Sequence, residues 1–181
     1  MGFPDKLDPV AALPAARALS ERDQLRRMVV TGVGPDGTVD LSQPRAQIRY
    51  EFDSAVGEGP EPARPAGTVP RHGRYCGRRV VRIERDGMVA EADQPTATCR
   101  SAGDPLPEPR CTPRALWQRA LEKRPDATGL ASTEYFRAHG GPAWRFSLSD
   151  TPVTFTLFGD CDQELKGKDA RALAPRNGVD R

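Results

Sequence analysis

The residues best placed to make a covalent bond are four cysteines, Cys76, Cys99, Cys111 and Cys161, each at the end of a predicted strand or helix. A hairpin turning at Asp86-Gly87 puts Cys76 opposite Ala97 and diagonal to Cys99, about 7 Å apart, near the geometric limit for a disulfide. Cys111 precedes a predicted helix and Cys161 follows the last predicted strand, so a bridge between them would close that part of the chain on itself. Three pairings are formally open, and four free thiols in a cytosolic protein fit the same letters, because no secretory signal precedes them. Zinc is the less economical reading: structural sites bring ligands in close pairs, and no C-x2-C spacing occurs.

Other chemistry is sparse. The two histidines, His72 and His139, fall in predicted loop and turn positions, which leaves few participants for imidazole acid/base work. An enzyme would therefore have to assemble a cysteine or carboxylate centre from Asp160, Cys161 and His139 near the end of the last strand, and would show one strongly reactive thiol. Asp160, Asp162 and Glu164 alternate like the start of a calcium loop but lack its central glycine and later bidentate Glu, so an acidic, solvated strand end explains them with less assumption. Arg71, Arg74, Arg78, Arg79, Arg82 and Arg85 crowd the middle of the chain. Strand alternation splits them, with Arg78 and Arg82 on one face and Arg79 and Arg85 on the other, and Glu84, Asp86, Glu91 and Asp93 stand ready to pair across the hairpin. Phosphate-cradling loops, nucleotide fingerprints and serine-nucleophile elbows are missing from the sequence.

The elements that must position these groups show an internal echo. Leu25 to Phe52 superposes on Leu130 to Leu157 without a gap: Leu25 meets Leu130, Val30 meets Tyr135, Val39 meets Trp144, and Ile48, Tyr50 and Phe52 meet Val153, Phe155 and Leu157. Each copy carries a turn at the same point, Gly34-Pro35-Asp36-Gly37 and His139-Gly140-Gly141-Pro142, so each reads as a three-strand meander. A helix is predicted ahead of each. In the second, Thr112 caps, Pro113 takes the first helical position, Leu116, Trp117, Ala120 and Leu121 form the apolar stripe, and the end falls near Pro125. The first begins at Asp8-Pro9 and carries an interior Pro14 that would kink or restart it.

The predicted architecture is α+β: tandem helix-plus-antiparallel-three-strand units, a possible internal duplication, with an intervening β-hairpin. The first unit spans 8–100, with a Pro/Gly loop at 55–73 and the hairpin at 75–92; a Pro-rich linker occupies 101–111; the second unit spans 112–165; a polar tail runs over 166–181. In element order alone this resembles tandem helix-plus-sheet families such as the β-lactamase inhibitory proteins and PepSY-type domains. No residue motif of either is matched, and the resemblance implies only a preference for protein binding.

The chain of 181 residues, 37% of them hydrophobic, is long enough to bury a core. A formal net charge of +2 with interspersed signs gives no field to drive it onto nucleic acid, and no window is apolar enough for a membrane span. No cofactor or metal is expected. The expected function is a non-catalytic binding, sensory or interaction module engaging a protein or ligand partner, most naturally a protein. The alternatives are an assembly subunit of a larger complex and the cysteine or carboxylate enzyme. The compartment is open between the cytoplasm and an excised extracytoplasmic domain.

Overall fold

The computed structural model describes residues 5–54, 65–67, 76–92, 94–96 and 104–173. Period-two alternation dominates it. Strand β2 (Gln24–Val33) buries Leu25, Met28, Val30 and Val33; β4 (Gln47–Asp53) buries Ile48, Tyr50 and Phe52; β5 (Cys76–Glu84) buries Val81 and Ile83 on the same side. Strands β8 (Ala131–Ala138), β9 (Gly141–Leu148) and β10 (Thr154–Phe158) add Tyr135, Trp144, Phe146, Phe155 and Leu157 to the same core. Short strands β1 (Lys6–Leu7), β3 (Val39–Asp40), β6 (Gly87–Ala90) and β7 (Gln94–Thr96) complete the set.

The expectation of tandem helix-plus-three-strand units is overturned. Among the described residues, ten strands belong to one antiparallel sheet in the order β10-β9-β8-β2-β4-β5-β6, with β1, β3 and β7 at its margins, against two short helices, α1 (Leu13–Ser20) and α2 (Pro113–Lys123). The decisive contact is β2 beside β8, where Met28 faces Tyr135, Val29 faces Glu134 and Val30 faces Thr133. Sequence patterning shows which face of a strand is apolar but not which strand its edge will find, and here the edges of the two similarly patterned segments found each other. The two segments also differ inside. β8, β9 and β10 form a meander, whereas β3 is only two residues long and β4 pairs directly with β2 from Gln24 to Thr31.

Both helices pack on the core face. Helix α2 follows its sequence signals: Thr112 Oγ1 accepts from Ala115 N at 3.4 Å, Pro113 opens the helix, and Arg124, extended before Pro125, ends it. Trp117 meets Phe146 edge-on at 5.4 Å and donates from Nε1 to the Val33 carbonyl at 3.1 Å, tying α2 to β2. The turn at Gly34–Gly37 also seats on α2, since a Cβ on Gly37 would lie 2.6 Å from Arg114 N. Asp36 shapes that turn: the Thr38 amide and then its hydroxyl, both donating to Oδ1, hold its carboxyl below the usual range.

Helix α1 starts later than its sequence suggests. Asp8 Oδ1 accepts from Val10 N and Ala11 N and caps a preceding turn, while Pro14 falls in the first turn of the helix, where a missing N–H costs nothing. Tyr50 donates to the Pro9 carbonyl at 2.5 Å and Arg79 donates to the Ser20 carbonyl at 3.1 Å, so β4 and β5 hold both ends of α1.

The β5–β6 hairpin is shifted from its predicted register. Glu84 pairs with Gly87 and Val81 with Ala90, so the turn is Arg85-Asp86 rather than Asp86-Gly87. Arg85 and Asp86 keep negative φ and the positive φ of 127° falls on Gly87, as in a type I turn followed by a glycine bulge. The described part of the polar tail is pinned: Gly140 N donates to Asp169 O, His139 N to Arg171 O, and Leu165 packs on Phe136, Ala138 and Ala143.

Candidate binding face

With both helices on one side, alternation sends every second side chain of the long strands to the other. Backbone register lines six of these up in a row across six adjacent strands. Arg145 on β9 faces Glu134 on β8, Glu134 faces Val29 on β2, Val29 faces Arg49 on β4, Arg49 faces Arg82 on β5, and Arg82 faces Val89 on β6.

A chain of ion pairs runs over this row. Glu134 grips Arg27 with Oε1 at 2.7 Å and Arg145 with Oε2 at 2.7 Å, and Arg145 also lies 4.4 Å above the Phe136 ring. Glu51, buried at 7% exposure, is shared by Arg49 at 3.3 Å and by Arg27 and Arg78 at 3.9 Å each. Asp53, 1% exposed, takes Arg78 Nε at 3.1 Å and stands 2.7 Å from Arg26 Nε, an ion pair that is close but poorly aligned as a hydrogen bond. Burial lowers the pKa of Arg26 although Asp53 works against it.

The two carboxylates on β4 therefore lie beneath a layer of guanidinium groups. Arg27, Arg82 and Arg145 keep 44, 44 and 39% of their side chains exposed. Beside them, at the hairpin end, a shallow groove of about 220 Å³ is lined by Arg82, Glu84, Asp86, Gly87, Val89 and Glu91.

The sequence-predicted residues are placed as follows. Cys111 and Cys161 stand at disulfide distance, 5.6 Å between Cα atoms, and are bonded, joining the start of α2 to the turn after β10. Cys76 begins β5 opposite Thr96, not Ala97, by the shifted register, while Cys99, its candidate partner, lies outside the described residues, as do His72, Arg71, Arg74 and Asp93. His139 is exposed in the β8–β9 turn, and Asp160 accepts from Asp162 N in the turn after β10. Arg78 and Arg82 share the outer face, Arg79 turns to α1, and Arg82 pairs with Glu91 at 2.5 Å.

Sequence reasoning missed Arg27, Arg49, Glu51, Asp53, Glu134 and Arg145. The alternation of Arg49, Glu51 and Asp53 along β4 was a visible signal of a charged strand face. That Arg27 meets Glu134 depends on the β2–β8 pairing, which no local signal announces. Among the described residues no three His, Cys, Asp or Glu side chains converge as metal ligands, and no helix is long and apolar enough to cross a membrane. Compared with protein-family models, with curated proteins and with solved structures, the chain matches none.

Proposed function

We propose that the chain is a non-catalytic binding module that holds a protein partner against the outer face of its sheet. The observation that carries this reading is the ion-pair chain over β9, β8, β2, β4 and β5, in which Glu134 and Glu51 fix the arginines in position while their guanidinium edges stay at the surface. Arginine so held gives planar, forked donors whose ordering cost has been met before a partner arrives. The strands that carry it are backed by a fully buried core, the rigid support a recognition surface needs. A thiol enzyme centred on Cys161 finds less support, because the bond to Cys111 leaves no thiolate there.

The test is affinity capture of a partner by the immobilised full chain, followed by hydrogen–deuterium exchange of the complex. Protection is expected on β2, β4, β8 and β9, and the double variant Arg27→Gln with Arg145→Gln, whose amides can still donate to Glu134, is expected to lose the partner while keeping the far-ultraviolet dichroism of the folded chain at the assay temperature. Protection confined to α1 and α2 would sink the reading.

A further inference from the structure

Within that face, and resting on the reading just given, we propose that Arg49 and Arg82, bracketed by Val29 and Val89, form the recognition centre for an acidic segment of a protein: a carboxylate flanked by aliphatic side chains. Arg49 and Arg82 are direct cross-strand partners. Like charges directly opposite one another weaken a strand pair, so the stability of the sheet does not account for this juxtaposition. Each guanidinium has turned to a carboxylate on its own side, Arg49 to Glu51 at 3.3 Å and Arg82 to Glu91 at 2.5 Å, and both side chains remain partly exposed, at 35% and 44%. Arg49 Nε, itself buried, has no hydrogen-bond partner among the described residues.

The same register places an aliphatic residue on either side of the pair, Val29 next to Arg49 and Val89 next to Arg82. Val89, at 64%, is more exposed than any other large hydrophobic residue among those described. From Val29 to Val89 is three strand spacings, about 14 Å. A carboxylate arriving between the two guanidinium groups would accept charge-assisted hydrogen bonds from the donor edges that Glu51 and Glu91 leave exposed. Aliphatic neighbours on the same segment would cover the valines. A free inorganic anion satisfies the arginines and makes no use of the valines, which is why the acidic segment is the better fit.

The experiment is a fluorescence-anisotropy titration of the full chain with a labelled Val-Ser-Glu-Ser-Val peptide, whose two valines and glutamate share one face when extended and span about 14 Å, with the Gln and Lys analogues as controls and inorganic phosphate as competitor. The Glu peptide is expected to bind saturably and more weakly as salt rises. The double variant R49E/R82E is expected to lose roughly tenfold or more in affinity and to favour the Lys peptide instead, and Val89→Ser to weaken the wild-type affinity a few-fold. If charge reversal perturbs the sheet, as a circular-dichroism melt would show, R49Q/R82Q replaces it with the same expected loss. Equal binding of the Glu peptide by wild type and variant, no binding by either, or displacement by phosphate as effective as by unlabelled peptide overturns the proposal. A captured partner that stays bound to R49E/R82E removes this centre and leaves the module reading standing; a partner that protects nothing on the outer face removes both.

Discussion

Replacing Gly37 by alanine should destabilise the protein far more than its place in an exposed-looking turn suggests. Gly37 has φ of +81°, and a Cβ there would stand 2.6 Å from Arg114 N, 2.7 Å from Arg114 Cβ and 2.9 Å from Arg114 Cα, on the first turn of α2. The left-handed backbone alone costs an alanine about 1–2 kcal/mol. The overlap adds about 1–3 kcal/mol, because two of the three atoms met are helix backbone, which moves only if α2 lifts from the sheet. The sum, about 2–5 kcal/mol, is a large share of the stability of an ordinary domain and corresponds to a fall in melting temperature on the order of 10 °C. Gly129→Ala is the control: φ is +108° there but nothing lies within 4 Å of the added carbon, so only the backbone cost applies. Urea unfolding of the two variants beside wild type isolates the overlap. Equal midpoints for Gly37→Ala and Gly129→Ala would refute the seating of this turn on α2, and with it part of the case that the amino-terminal and carboxy-terminal strands are locked together.

Three further outcomes follow from buried contacts. Trp117→Phe removes the donor to the buried Val33 carbonyl and some ring volume, and should cost about 2–4 kcal/mol in urea unfolding, whereas a loss below 1 kcal/mol would show that carbonyl satisfied otherwise. Replacing Cys111 and Cys161 together by serine opens a crosslink spanning a sequence separation of 50 and should cost about 4 kcal/mol by the chain-entropy estimate; an unchanged midpoint would mean the bond contributes nothing. Burial raises the Tyr135 pKa to about 12 and that of Tyr50 further. Because the folded value exceeds the unfolded one, the stabilisation is whole below pH of about 10 and is lost as pH rises towards 12 and beyond. Phenolate absorbance from these two tyrosines should therefore appear together with loss of far-ultraviolet dichroism, and an early, non-cooperative rise from both would contradict their burial.

What the sequence disclosed was local. Thr112, Pro113 and Pro125 marked α2 because a cap, a first-turn proline and a helix-stopping proline act within a few residues of themselves. The alternation of Ile48, Tyr50 and Phe52 and of Phe155 and Leu157 marked the core face of β4 and β10 for the same reason. The echo between Leu25–Phe52 and Leu130–Leu157 was legible too, but it led to the wrong architecture. It placed β2 on β8 and β4 on β10 as equivalents, and so concealed that β2 and β8 are partners. The hairpin register differs because Asp86-Gly87 reads locally as the turn itself, whereas the glycine serves the bulge that follows. Within the candidate face, alternation alone puts Arg78 and Arg82 on one side; Arg27, Arg145 and Glu134 come together only through the long-range pairing.

That pairing bears directly on the proposed binding role. Had the chain folded as tandem units, the row from Arg145 to Val89 would have been cut between Glu134 and Val29, and its two ends could have turned independently. Instead β2 is hydrogen-bonded to β8 on one side and to β4 on the other, and Arg27 on β2 grips Glu134 on β8 above the joint. On the opposite face the same joint is spanned by Trp117, which donates to Val33 on β2 and meets Phe146 on β9 edge-on, with Gly37 seated against Arg114 of the same helix. To separate the two ends of the row, both clamps and the strand ladder would have to break together, a cost comparable with global unfolding. The arginines on either side of the joint therefore hold a fixed spacing before any partner arrives. In the proposed binding role, a surface of that kind would select partners by where their carboxylates lie as well as by how many they carry.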